Sequence, residues 1–480
     1  LSQAASRTVV VLAAGEGKRM KSATPKVLQP LLGRTLLGHV LHVASEIHTD
    51  RTVVVVGHKA EQITAFVGEV APDAVPVLQA EQNGTGHAVR IALDATPDLT
   101  GTVVVLSGDV PLLRPETVEA LLVTHEKAGA AATVLSAEVE VPGGLGRIVR
   151  GVDGNLERIV EAKDATDEQR RIQEINSGIY AFDAVLLREA LGKLSTDNAQ
   201  GEEYLTDVFG ILAGQGHPVA IEVAEFAYET LGCNDRAELA KLRVLMRDRV
   251  NEAWMRSGVL LLDPATTWID VTATLEPDAV VDQNSQILGT TTVATGAVIG
   301  PDTTLIDTTV GAGATLLRTH SIGALVGPEA TVGPYSYLRP GTKMGRKSKV
   351  GGFVETKNAE LGDGAKVPHL TYAGDATIGA KANIGAGTIF ANYDGVKKYH
   401  TTVGEAAFVG SDSVLIAPVE IGPGAYVAAG SAVQKSVGAG ELGVSRAQQR
   451  NIEGWVARKR PGTASAEAAA KATDTTPEQD

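Results

Sequence analysis

The chain has 480 residues and a formal net charge of −14, which argues against nucleic acid or an anionic membrane surface as its main partner, because both reward a basic field. Its length exceeds one ordinary core and predicts two domains of unequal character. The single cysteine, Cys233, excludes an internal disulfide and suits a reducing cytoplasm, and no apolar run approaches the roughly 18 residues that cross a bilayer.

In chain order, residues 9–12 (Val-Val-Val-Leu) read as a first strand rather than a secretory signal. Residues 35–47 read as an amphipathic helix and 53–56 as a second strand. Residues 103–106 form another strand that ends in Ser107-Gly108-Asp109, and helical patterns recur at 116–125 and 202–212. This β-α-β alternation predicts an α/β, Rossmann-like domain over 1–230, with ligands outside the carboxyl ends of parallel strands. A connecting helix is expected within 231–258, with Asp235 as its N-cap. From 259 to 460 the chain turns Gly-, Val- and Thr-rich, and from about 275 to 433 it repeats a hexad, as in Ile378-Gly379, Ile384-Gly385 and Val409-Gly410. Each hexad supplies one short strand with an inward aliphatic, and a small or acidic residue at the corner, so stacked coils share a narrow core. The prediction is a parallel β-helix of hexapeptide repeats; residues 461–480, nearly free of large apolar side chains, are expected to be disordered.

Two constellations carry chemistry. After the first strand comes Leu12-Ala13-Ala14-Gly15-Glu16-Gly17-Lys18-Arg19, with Lys26 shortly beyond. Glycines at a strand end let backbone N–H groups approach a phosphate, and Arg19 and Lys26 can neutralise it. Met20 stands where the dinucleotide fingerprint needs its third glycine, and no P-loop is present, so the loop by itself reads as a tight turn before it reads as a ligand loop. Further along, Gln79, Gly84 and Thr85, then Asp109, Gly146, Glu161 and Asn176, then Gly232-Cys233-Asn234 appear in order. Together these resemble the sugar-1-phosphate nucleotidyltransferases, most closely the bifunctional N-acetylglucosamine-1-phosphate uridylyltransferases. The resemblance implies UMP transfer from UTP to N-acetylglucosamine 1-phosphate with release of pyrophosphate, Arg19 and Lys26 assisting catalysis. It implies Mg²⁺ on Asp109 and Asn234, the uridine nucleotide on Leu12, Ala13, Ala14, Gly15, Lys26, Gln79, Gly84 and Thr85, and the sugar on Gly146, Glu161 and Asn176. The family usually carries two successive Asn where this chain has Asn234-Asp235. The extra acid reads either as a metal ligand or as a helix cap.

The second constellation lies where the hexads are interrupted. Arg339 and Lys357 occupy equivalent hexad positions, so with three hexads to a coil they are expected to stack about 4.8 Å apart. Like charges that close need an anion, or the nearby Glu355, against them; otherwise they form a basic ladder splayed into water. The segments Tyr337-Leu338-Arg339-Pro340-Gly341, Glu355-Thr356-Lys357, Pro368-His369-Leu370-Thr371-Tyr372, Asn383-Ile384-Gly385-Ala386 and Asn392-Tyr393-Asp394-Gly395 resemble the acetyltransferase half of the same bifunctional family, a left-handed β-helix. By that resemblance His369 is the general base, oriented by Glu355, and Arg339, Lys357, Tyr372 and Asn383 bind glucosamine 1-phosphate. Acetyl-coenzyme A would contact Ala386, Asn392, Tyr393, Ser411, Ala429 and Arg446. A base is required because an ammonium has no lone pair to attack a thioester, and an imidazole with a pKa near 6.5 can take that proton at neutral pH.

Related enzymes are trimers, and by analogy Trp455 in the basic run 450–460 would reach a neighbouring chain's site; simple packing is the plain alternative. Two other readings compete with the bifunctional one, which would feed bacterial cell-wall synthesis. The β-helix could be only a regulatory or oligomerisation module on a nucleotidyltransferase, or the whole chain an assembly scaffold. The set His369, Arg339 and Lys357 argues against the first, and retention of Arg19, Lys26, Asp109 and Asn234 against the second.

Overall fold

The structure, a computed structural model, describes residues 6–474; the chain forms two compact units, Leu1–Pro340 and Gly341–Asp480. In the first unit the valine-rich runs build a sheet in the order Val219–Val223, Ala132–Glu138, Glu174–Asp183, Thr102–Ser107, Arg7–Ala13, Arg51–Val56, Val75–Leu78. Arg7–Ala13 is parallel to both its neighbours, whereas Glu174–Asp183 is antiparallel to both of its own. Val9 and Val11 belong to the core on one face of the sheet and Val10 to the core on the other, the period of two of a strand buried on both sides.

The helices are α1 Leu36–Glu46, α2 Ala60–Val70, α3 Thr85–Asp94, α4 Pro115–Ala128, α5 Ala184–Leu191, α6 Asp207–Gly214 and α7 Arg236–Arg256. Leu37, Val40, Ile63, Val67 and Leu121 from α1, α2 and α4 cover the Val9 and Val11 face. Ala88, Val89, Leu187 and Phe209 from α3, α5 and α6 cover the Val10 face. The expected helix at 35–47 is present, with the Thr35 side chain accepting from Gly38 N at its start. The helix expected at 202–212 begins only at Asp207. The preceding residues are claimed elsewhere: Glu203 N donates to Asn83 O at 2.8 Å and Gly86 N donates to Glu203 O at 2.8 Å. That pairing holds residue 203 against the start of α3, where a helical turn would withdraw the same groups. The connecting helix α7 packs Leu239, Leu242 and Met246 against Met20, Leu31 and Leu112, with Trp268 of the first coil beside them.

Coils follow. Trp268 pairs with Gln286, Thr274 with Thr292 and Val280 with Val298, each three hexads further on, all parallel. Leu275, Val281, Ile287, Val293 and Ile299 point inward and are buried. One such side chain contributes roughly 1.5–3 kcal/mol when fully buried, which a coil gains only when the next coil covers it. Corners are not reserved for glycine: Asp278, Asn284, Asp302 and Asp307 all stand at positive φ, because a short polar side chain tolerates the left-handed region. This explains the acidic residues in the hexad.

The second unit continues the pattern, with Lys349 paired to Lys366 and Phe408 to Tyr426. Ala376 pairs with Thr401 and Asn383 with Phe408, so the irregular 392–400 segment is accommodated as one lengthened coil. Beyond the coils come short helix α8 Trp455–Lys459 and helix α9 Ala464–Asp474. The described part of the tail, for which disorder is expected, is thus mostly helical. A run rich in Ala, with Glu467 four residues before Lys471, favours helix locally even though it has no core to join. Residues 475–480 lie outside the described residues.

Candidate active sites

The carboxyl ends of the parallel strands gather the first constellation. Gly108 N donates to Leu12 O at 2.9 Å and Gln82 Nε2 to Ala14 O at 2.8 Å, so the loops after three strands are laced together. Gly17 sits at φ 64, and a Cβ there would stand 2.7 Å from Lys26 Cβ. Its absence lets the loop close over Lys26. Lys26 Nζ meets Asp109 Oδ2 at 2.5 Å, with the two side chains only 14% and 20% exposed. Cys233 N donates to Asp109 O at 3.0 Å, and a Cβ on Gly232 would lie 3.7 Å from Asp109 Oδ2. The Gly232-Cys233-Asn234 loop is therefore held beside Asp109. Burial, with Asp109 next in importance, pushes the Cys233 thiol up to about 12, so it stays neutral and unreactive. Arg19, in contrast, is exposed.

Asp235 has a structural role. Its Oδ1 accepts from Ala237 N and Glu238 N, both at 2.9 Å, and Glu238 in turn accepts from Asn234 N at 2.7 Å. Asp235 is the N-cap of α7. The donor set suits Mg²⁺, which takes hard oxygen ligands and commonly one or two protein groups plus substrate phosphates: the Asp109 carboxylate and the Asn234 amide, with the glycine at 232 leaving space before the carboxylate.

Gln79 is buried; its Nε2 donates to Gly84 O at 3.2 Å and to His87 Nδ1 at 3.1 Å. His87 thus has a structural part, fixing Gln79. Gly84, at φ 106, is pressed so closely on the 203 segment that a Cβ would stand 2.5 Å from Glu203 O. Thr85 Oγ1 accepts from Leu205 N at 3.1 Å. Asn176 N donates to Gly146 O at 2.9 Å, and Asn176 Nδ2 donates to Tyr180 Oη at 2.8 Å while its Oδ1 accepts from Gly178 N. Glu161 accepts from Thr206 Oγ1 at 3.1 Å, and burial holds its carboxyl above the usual range. Sequence reasoning missed Tyr180 and Thr206, which aim Asn176 and Glu161; nothing in their spacing marks them.

In the coils, Arg339 closes the first unit with its guanidinium 5.9 Å from the Tyr337 ring centroid. The remaining residues belong to the second unit. Glu355 pairs with Tyr372 and Gly352 with His369 on adjacent strands, and His369 is exposed. Tyr372 is held from two sides: a Cβ on Gly374 would strike its ring and hydroxyl, and Asn392 Nδ2 lies 3.5 Å from its Oη. Asn392 Nδ2 also donates to Asp375 Oδ2 at 2.6 Å, and Asn358 Nδ2 donates to Asp375 Oδ1 at 2.8 Å. Asp375, at φ 48 within the strand Tyr372–Ile378, ties the lengthened coil to that strand. It was not legible because in sequence it looks like an acidic corner. The interruption itself is ordered: Asp394 accepts from Val396 N and Lys397 N, and Tyr393 Oη donates to Gly395 O at 2.6 Å.

Ala386, Ser411 and Ala429 follow one corner of the prism. Asp412 N donates to Ala386 O and Gly430 N to Ser411 O, both at 2.8 Å, while a Cβ on Gly385 would meet Ser411 N and one on Gly410 would meet Ala429 N. Ser411, Ala429 and Arg446 are exposed. Asn383 lies in register with Lys366 and Phe408. Trp455 is 42% exposed, with Arg460 over its ring.

A nucleotidyltransferase sheet joined in one chain to a hexapeptide-repeat β-helix defines a bifunctional transferase. Residues 9–252 match the MobA-like NTP transferase domain family. Over 463 residues the chain is 57% identical to the Bifunctional protein GlmU of Streptomyces coelicolor, covering 96% of both chains. It is 51% identical over 479 residues to that of Corynebacterium efficiens, covering 99% of both, and 52% identical over 464 residues to that of Pseudarthrobacter chlorophenolicus, covering 96% of this chain and 94% of the relative. The chain belongs to the family of bifunctional GlmU proteins.

Proposed function

We infer that this protein makes UDP-N-acetylglucosamine in two transfers, an acetylation of glucosamine 1-phosphate in the coils followed by uridylylation of the product at the α/β sheet. The observation that carries the reading is the near end-to-end relationship to bifunctional relatives in a chain that holds both constellations. In the first transfer we assign acetyl-coenzyme A to the corner lined by Ala386, Ser411 and Ala429, with Asn392, Tyr393 and Arg446 near the cofactor. Arg339, Lys357, Tyr372 and Asn383 hold the sugar phosphate. The amine nitrogen attacks the thioester carbonyl, its proton passes to His369, the C–S bond breaks, and coenzyme A leaves as the thiol or thiolate. Glu355 orients the imidazole and stabilises its charged form.

In the second transfer a phosphate oxygen of N-acetylglucosamine 1-phosphate attacks the α-phosphorus of UTP, and the bond to the β-phosphate breaks to release pyrophosphate. Arg19 and Lys26 offset the charge of the approaching and departing phosphates. Leu12 to Gly15, Gln79, Gly84 and Thr85 hold the uridine nucleotide, and Gly146, Glu161 and Asn176 the sugar. Mg²⁺ on Asp109 and Asn234 would supply charge neutralisation at the phosphates. Lys26 then exchanges its Asp109 contact for phosphate. We further assign a homotrimer built through the coils, a cytoplasmic location, and no nucleic-acid or membrane partner; no helix among the described residues is long and apolar enough to cross a membrane.

The test is product analysis. With acetyl-coenzyme A, UTP, Mg²⁺ and glucosamine 1-phosphate the chain should yield UDP-N-acetylglucosamine and pyrophosphate. Without acetyl-coenzyme A the product should disappear, and N-acetylglucosamine 1-phosphate should restore it. Uridylyl transfer with no consumption of acetyl-coenzyme A would leave the coils as a regulatory or oligomerisation module.

A further inference from the structure

The first unit holds a cavity of about 1210 Å³ that contains none of the residues assigned above. It lies at the amino ends of the strands Arg51–Val56 and Val75–Leu78, between α1, the α2 exit, α7 and the first coils, and so opposite the edge that carries the nucleotide loops. Its walls are fixed. Val271 N donates to Leu32 O at 3.1 Å, and a Cβ on Gly33 would stand 2.8 Å from Thr272 Oγ1. Its lining includes the apolar Leu41, Phe66, Val70 and Pro72 and the basic Arg34 and Arg243.

The charges in this cavity are unevenly committed. Asp50 accepts from Arg7 N at 2.9 Å and Asp270 from Gly289 N at 2.7 Å. Arg51 is engaged by Asp98 at 3.1 Å. Among the described residues, Arg34 and Arg243 have no carboxylate within 4.0 Å; Arg243 leans over the Trp268 ring at 5.8 Å and acts on the Asp270 carboxylate from a longer distance, and Asp73 is the third acid of the lining. Two guanidiniums that line one space without a close carboxylate, together with an aromatic ring and aliphatic side chains, are the recognition elements for an anion with an apolar body.

We propose that this cavity is a second ligand site, which binds a small amphiphilic organic anion through Arg34 and Arg243 and seats its apolar part against Leu41, Phe66 and Val70. Burial lowers the Arg34 pKa from its ordinary value, with only Glu46 opposing it, the sign of a guanidinium kept from water without a close counter-ion. A bound anion would supply that counter-ion.

The experiment uses the full chain and 1-anilinonaphthalene-8-sulfonate, an aromatic anion, followed by fluorescence titration. The expected result is saturable binding that UTP and N-acetylglucosamine 1-phosphate together do not displace. Arg34→Gln, which removes the charge, and Ser45→Trp, which fills the cavity, should each weaken it roughly tenfold or more while both transferase activities stay at the parent level. The uncharged N-phenyl-1-naphthylamine should bind at least about tenfold more weakly than the sulfonate. Displacement by the nucleotide pair, parental affinity in either variant, or equal binding of the neutral probe would each overturn the assignment.

Discussion

The two candidate sites are built on opposite plans. At the sheet edge, residues drawn from six stretches of sequence hold one another: Lys26 meets Asp109, Gln79 meets His87, Glu161 meets Thr206 and Asn176 meets Tyr180. Along the coils, residues about one coil apart are brought together chiefly by the repeat, and they stand on an outer surface where His369, Ser411, Ala429 and Arg446 are exposed. The first plan encloses a site inside one unit. The second gives one open wall, which is compatible with completion by another copy of the chain.

Several substitutions would break or sharpen this contrast. Leaving aside Asp109 and His369, the largest effect is expected from Lys26→Ala, which removes the cation held between Gly17 and Asp109. Uridylyl transfer should fall roughly 10²- to 10³-fold, with acetyl transfer unchanged in a coupled thiol-release assay. Gly374→Ala should do the reverse, since a methyl there displaces the Tyr372 ring; acetyl transfer should drop roughly tenfold to a hundredfold while uridylyl transfer holds.

Asp235→Ala separates a cap from a metal ligand. Thermal unfolding should show a loss of about 1 kcal/mol, with the Mg²⁺ dependence of uridylyl transfer unmoved; a large rise in the Mg²⁺ requirement would return Asp235 to the metal. The smallest effect is at Glu161, whose carboxyl is held above its ordinary value by burial. A raised carboxyl pKa means the folded state binds the proton more tightly, so this group's share of stability is present below the unfolded value of about 4.3 and is lost as pH rises through the folded one. Glu161→Gln should therefore gain stability relative to the parent between pH 4 and pH 7, and a constant difference across that range would contradict the burial.

What the sequence made legible follows from the same contrast. A repeat announces its own geometry, so the coils, their pairing three hexads apart and the interruption at 392–400 could be read directly. The valine runs and Asp235 likewise declared the strands and the start of α7. Contacts between distant segments could not be read. The pairing of Glu203 with Asn83 and Gly86 delays the helix to Asp207, and Asp375 is indistinguishable from an acidic corner until Asn358 and Asn392 are seen on it. The α9 helix shows the converse, local propensity overriding a composition that suggests disorder.

The central claim is that one chain carries two independent chemistries, one for each plan. The most direct test assays both transfers on Asp109→Ala and His369→Ala. The account predicts that Asp109→Ala abolishes uridylyl transfer and leaves acetyl transfer at the parent rate, while His369→Ala lowers acetyl transfer by roughly 10²- to 10⁴-fold and leaves uridylyl transfer intact. Parental acetylation by His369→Ala, or full uridylyl transfer by Asp109→Ala, would contradict it.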